Sequence, residues 1–162
     1  MKEARFIFQS PSLIPDMKKK LNCVLLIDDN DDTNFFNRRL LMKMDVTEKI
    51  QIATSGEEAL DFLSNGGRFL THGNNYPAPM LIFLDINMPG MDGWEFLEEY
   101  HRLPPEQKGK IVLIMLTSSP NPDDAEKAKA NEDVSDFVKK PLSLEAMEKV
   151  LKDYFPDLNY FS

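Results

Sequence analysis

Five short apolar runs, each closed on its carboxyl side by a polar residue and followed by a helical segment, constrain this chain more than any other feature. The runs are NCVLLID, KIQIAT, MLIFLD, KIVLIMLT and VSDFVKK. They are too short for buried helices, and most are too continuously apolar for strands with one wet face. The expectation is therefore strands covered on both sides. Between and after them lie helical patterns. TNFFNRRLLMKM places Phe35, Phe36, Leu40, Leu41 and Met44 at helical spacing, and GEEALDFLSN, capped by Thr54 or Ser55, places Ala59, Leu60 and Leu63 on one face. GWEFLEEYHRL is closed by Pro104-Pro105, NPDDAEKAKANE is a charged helix, and SLEAMEKVLKDYF stops at Pro156. Strict alternation predicts an α/β domain with a mainly parallel sheet, and right-handed crossovers put helices on both of its faces.

In such sheets a ligand binds outside the carboxyl ends of the strands, at the topological switch point. The first strand ends in Asp28-Asp29, the third in Asp85, the fourth in Thr117-Ser118 and the fifth in Lys139-Lys140; only the second, ending in Ala53-Thr54, brings no charge. Each residue alone has a plain structural explanation: Asp28 or Asp29 as a helix cap, Asp85 or Thr117 at a turn, Lys140 as a solvated charge. Their coincidence on one sheet edge is what demands a function. Three carboxylates cannot all stay ionised at close range without a counter-charge. A divalent cation with oxygen ligands, Mg²⁺ or Mn²⁺, supplies it. Lys140 and the Thr117 hydroxyl then offer a cation and a donor to phosphate oxygens. The chemistry this predicts is formation of an acyl phosphate on an aspartate.

Composition excludes several alternatives. With 162 residues the chain suits one domain, and 42% hydrophobic residues suffice for a core. A net charge of −8 opposes binding to nucleic acid. No apolar segment approaches the roughly 20 residues of a membrane span, and the charged N-terminus does not read as a secretory signal. The single cysteine, Cys23, lies in an apolar run as a small core residue, which together with the N-terminus points to the cytoplasm. Residues 1–20 read as a polar, proline-broken arm, 21–156 as the folded domain and 157–162 as a tail.

VLLIDDN, IFLDINMPGMDGWEF, IMLTSS and FVKKP, in this order, resemble the successive motifs of the response-regulator receiver domain of two-component signalling. The resemblance runs from about Leu21 to Phe155. It implies a CheY-like, flavodoxin-like (βα)5 doubly wound sheet with strand order 2-1-3-4-5. It further implies that Asp85 accepts a phosphoryl group. Mg²⁺, or Mn²⁺, would be held by Asp29 directly, by Asp28 mainly through water, by Asp85 and by the backbone carbonyl of Asn87. Thr117 and Lys140 would bond the phosphoryl oxygens. Phe137 stands at the aromatic switch position, without the hydroxyl of the tyrosine often found there, and the Lys140-Pro141 bond is expected to be cis. Asp31 and Asp32 extend the acidic loop, as helix caps or as an aid to the metal. Ser119 falls where the family tunes hydrolysis.

The partners implied are a sensor histidine kinase or a histidine phosphotransfer protein as donor. A downstream protein would read the face formed by the 121–132 helix, the fifth strand and the last helix, and a phosphorylation-dependent homodimer is a further expectation. No output domain is expected, since seven residues follow Phe155. His72 and His101 are expected at the surface, and Trp94 in half-buried packing. The rival enzyme reading is a haloacid-dehalogenase-like phosphatase, since DNDDT, Asp29 to Thr33, fits that family's nucleophile motif. It leaves Asp85 unexplained, and no acidic metal motif follows Lys140. A flavin or nucleotide module would want a glycine-rich loop where DDNDDT stands. A receiver degenerated to a scaffold would lack chemically required residues that are present here.

Overall fold

The computed structural model describes residues 19–69, 77–108, 110–118 and 121–158. The expectations for the N-terminal arm before Lys19, for His72 and Ser119, and for the tail beyond Leu158 lie outside the described residues.

The five apolar runs are all strands: β1 (Val24–Ile27), β2 (Ile50–Ala53), β3 (Leu81–Asp85), β4 (Val112–Thr117) and β5 (Asp136–Lys139). They form one parallel sheet in the order β2-β1-β3-β4-β5, as expected. The helices among the described residues are α1 (Asp31–Met44), α2 (Gly56–Ser64), α3 (Gly93–His101), α4 (Pro105–Lys108), α5 (Pro122–Ala130) and α6 (Leu144–Tyr154), with a 3₁₀ turn at Gly67–Phe69. The short α4 lies between α3 and β4. Pro105 supplies the fixed φ that starts its single turn.

Alternation along each strand sends side chains to two separate cores. Leu25, Ile27, Ile82, Leu84, Leu113 and Met115 meet Phe62, Phe96 and Leu97 on the side of α2 and α3. Val24, Leu26, Leu81, Phe83, Ile114 and Leu116 meet Leu41, Met44, Met147 and Val150 on the side of α1 and α6. Both faces are dry, so nearly every residue of β1, β3 and β4 must be apolar.

Helix starts are fixed by side chains that satisfy the free N–H groups of the first turn. Asn30 accepts from Thr33, Ser55 from Glu58, and Ser143 from Ala146, while Asp92 and Glu95 form a reciprocal capping box. The cap of α1 is thus Asn30, which leaves Asp28 and Asp29 for other work. Asp31 and Asp32 are exposed in the first turn of α1, where they meet the positive end of the helix dipole.

In α1 the helical spacing is right, but not every apolar residue faces inward. The buried residues are Asn34, Asn37, Leu41 and Met44, while Phe35 and Phe36 are 57% and 65% exposed and pack edge-to-face on each other. Two asparagines take inward positions while the aromatic pair faces out.

Candidate functional site

Strand register alone brings the acidic groups together. Ile27 pairs with Leu84, so Asp28 and Asp85 are the next residues up on adjacent strands. On the far side Asp85 pairs with Leu116, and Thr117 with Lys139, which leaves Lys140 one step beyond the sheet edge. The chain then turns through a cis Lys140-Pro141 bond, as the resemblance implied.

At the centre is the ammonium of Lys140. Its Nζ lies 2.7 Å from Asp28 Oδ2 and 3.0 Å from Asp85 Oδ1. Asp28 and Asp85 are buried, and Asp29 is exposed beside them. The three aspartates each offer an oxygen within 4.8 Å of the others. Three carboxylates against one ammonium leave an excess of negative charge with oxygen donors only, a set that suits a hard divalent cation. The residues therefore fit a metal.

Electrostatics follow from this crowding. Burial pushes the Asp85 carboxyl above its ordinary range; the bond from Lys140 pulls the other way and the charge of Asp28 adds to the rise. The nearby backbone N–H of Asn87 also favours the ionised form of Asp85. Burial alone would lower Lys140, but its hydrogen bonds to Asp28 and Asp85 outweigh it and hold the ammonium above its usual value.

The frame around these groups is tight. Asp28 N–H donates to Ala53 O at 3.1 Å, and Asn30 N–H donates to Asp28 Oδ1 at 2.9 Å. Behind Asp85, the start of α3 presses on the end of β3, with Gly93 N–H donating to Ile86 O at 2.8 Å. A Cβ on Gly93 would stand 2.7 Å from Asp85 O and 2.9 Å from Ile86 Cα, so the position needs glycine. Gly90 supplies the positive φ, 75°, of the turn between strand and helix.

Thr117 is buried at the end of β4, and its carbonyl accepts the backbone N–H of Lys140 at 2.6 Å. Asn87 is exposed two residues past Asp85. Phe137 is partly buried and lines a groove of about 490 Å³ between α5 and β5, with Ala125, Ala128 and Val134. Lys139 is exposed at the end of β5. Within the DNDDT stretch only Asp29 joins the aspartate group; Asp31 to Thr33 belong to the first turn of α1.

Outside the site, His101 is exposed and pairs with Asp133 at 2.9 Å. Trp94 is half-buried beneath the Lys127 ammonium, which lies 4.5 Å from its ring centre. One residue beside the cluster carried no sequence signal: Asn34, whose Nδ2 donates to Asp28 O at 2.8 Å.

A doubly wound sheet with a lysine-bridged aspartate cluster at its carboxyl edge defines a class of carboxylate-centred switch domains. The comparisons place the chain within it: residues 24–152 match the response regulator receiver domain, and the chain belongs to that family. A two-component response regulator from Cytophaga hutchinsonii superimposes with a TM-score of 0.71 at 35% identity, over 83% of this chain and 96% of that one. The Mn²⁺-bound form of the response regulator Rcp1 gives 0.65 at 26% identity, over 82% and 93%. The sensor histidine kinase CheAY of Helicobacter pylori is 30% identical over 129 residues, 80% of this chain but 14% of the kinase. Receiver domains are signalling modules that bind a divalent metal at their acidic pocket and are phosphorylated by histidine kinases. No described helix is long and apolar enough to cross a membrane.

Proposed function

We propose that this chain is the phospho-accepting receiver of a two-component phosphorelay, with Asp85 as acceptor and residues 21–156 as the working unit. The observation that carries the reading is the Lys140 ammonium, bridging Asp28 and Asp85 at 2.7 and 3.0 Å. It places a cation where a phosphoryl group on Asp85 would carry its charge.

In the proposed step an oxygen of Asp85 attacks the phosphorus of a phosphohistidine on a sensor kinase or phosphotransfer protein, or of a small acyl phosphate. The new O–P bond forms in line as the P–N or P–O bond breaks, and the leaving group keeps the electron pair. An imidazole leaving group then takes a proton. Asp28, Asp29, Asp85 and the Asn87 carbonyl would hold Mg²⁺, with Mn²⁺ as a substitute, and the bound ion would offset charge on the transferring oxygens. Lys140 turns from Asp85 toward a phosphoryl oxygen and keeps its bond to Asp28. The Thr117 hydroxyl donates to a second oxygen.

Loss of the Lys140–Asp85 pair and movement of Thr117 repack the strand ends. Phe137 then shifts against α5, altering the surface of α5, β5 and α6 that a downstream protein, or a second copy, would read. The result is a population shift between two packings rather than a new fold.

The test is intact-protein mass after incubation with acetyl phosphate, with and without Mg²⁺. A single phosphoryl adduct is expected in the native protein and in none of Asp85→Asn, the metal-free sample or Asp29→Asn. An adduct that survives Asp85→Asn but disappears in Asp29→Asn would point to the phosphatase chemistry instead.

A further inference from the structure

A helix that covers a dry sheet face normally turns apolar residues inward, because an amide buried there must give up its water. Asn34 breaks this pattern at a site only 3% exposed. Its Nδ2 donates to Asp28 O at 2.8 Å, and its Oδ1 is buried with no hydrogen-bond partner among the described residues. The amide cannot be turned round, since the Asp28 carbonyl only accepts. A leucine would fill similar space without the unpaired Oδ1, but it would strip the Asp28 carbonyl of its donor, so the amide is there for that one bond.

That bond acts on a particular peptide. The Asp28 carbonyl belongs to the link between Asp28 and Asp29, so holding it sets the plane of that link and the direction in which Asp29 leaves it. Asp28 has other anchors: its N–H on Ala53, and its carboxylate on Asn30 and Lys140. Asp29 is exposed, and its carboxylate makes no hydrogen bond among the described residues. Yet it keeps an oxygen within 4.8 Å of oxygens on both Asp28 and Asp85. Its placement therefore comes through the backbone.

We infer that Asn34 is a positioning residue for the metal site: by fixing the Asp28–Asp29 peptide it aims Asp29 at the cation. The inference rests on the metal-binding reading above and assigns a further residue to it. Asn37, buried at 5% exposure one turn along the same helix face, is the matched control.

The experiment measures Mn²⁺ affinity, by counting free Mn²⁺ in its electron paramagnetic resonance spectrum, together with the melting temperature of the metal-free protein. Asn34→Leu exchanges one unpaired oxygen, Asn34 Oδ1, for another, the Asp28 carbonyl, so it is expected to melt close to the native temperature while its Mn²⁺ dissociation constant rises about ten-fold or more. Asn37→Leu is expected to leave that constant unchanged. If Asn34→Leu does not fold, Asn34→Ala replaces it, with the same expected loss of affinity.

Equal affinity in the native protein and the Asn34 variant overturns the inference. So does a loss of metal-free stability that tracks the loss of affinity, because that outcome makes the residue merely structural. A native protein that binds no Mn²⁺ overturns the metal-site reading itself, and the inference with it.

Discussion

At the scale of single residues, the site stores unfavourable charge that its ligands relieve. Asp85 is buried and its carboxyl is raised, so at neutral pH the ionised form opposes folding. The sign follows directly. A raised acid binds its proton more tightly in the folded state, so its cost is full above the folded pKa and vanishes as pH falls and both states protonate. Asp85→Asn should therefore melt several degrees above the native metal-free protein at pH 7.5, and the gap should close on acidification; parallel melts without metal decide it. Lys140 behaves oppositely. Its raised pKa contributes stability that is complete below the unfolded value of 10.5 and lost as pH rises through the folded one. Lys140→Met leaves Asp28 and Asp85 facing each other without a counter-charge. It should cost about 3–5 kcal/mol, the usual loss when one partner of a buried pair is removed. Denaturant titration at pH 7.5 measures it, and saturating Mg²⁺ should recover part of the loss.

At the scale of elements, the fit between α3 and β3 is the joint that holds Asp85. Two glycines separate close approach from mere small size. A Cβ at Gly93 meets backbone, Asp85 O and Ile86 Cα, which cannot give way without moving the acceptor. A Cβ at Gly56 meets the Met91 sulfur at 2.6 Å, the far part of a flexible side chain that can swing aside. Gly93→Ala should therefore lose about 1–3 kcal/mol, the common cost of overpacking, and should slow phosphorylation of Asp85. Gly56→Ala should stay within about 0.5 kcal/mol of native. Chemical denaturation and acetyl phosphate labelling of the two variants test the contrast.

The elements also show why some of the structure was legible from sequence and some was not. Strands buried on both faces announce themselves as unbroken apolar runs, and their polar ends locate the site, so Asp28, Asp29, Asp85, Thr117 and Lys140 all fall on the expected edge. The buried face of helix α1 was not legible, because spacing gives a period, not a phase. Phe35 and Phe36 look like core residues until a carbonyl at Asp28 needs an amide, and Asn34 turns the helix inward by its own side. The cap of α1 was hidden in the same way: of the polar residues in DDNDD, only the geometry of the first turn selects Asn30.

At the scale of the whole molecule, the sheet order converts five distant segments into one site. Asp28 and Lys140 are 112 residues apart in sequence and 2.7 Å apart in the fold. Binding a cation to this point should stabilise the entire domain, because the unfolded chain holds no such cluster. At 100 times its dissociation constant, Mg²⁺ should add about 2.7 kcal/mol. Thermal melts with and without the ion should show that rise in the native protein, and little of it in Asp29→Asn.

On the function proposed above, this assembly places a phosphoryl group on Asp85. Borohydride reduction after acetyl phosphate treatment tests it most directly, since an aspartyl phosphate is reduced to homoserine while a free carboxylate is not. Peptide mass mapping is predicted to find homoserine at position 85 alone, and only when Mg²⁺ was present. Homoserine at position 28 or 29, or none at all in protein that demonstrably binds the metal, would contradict the account.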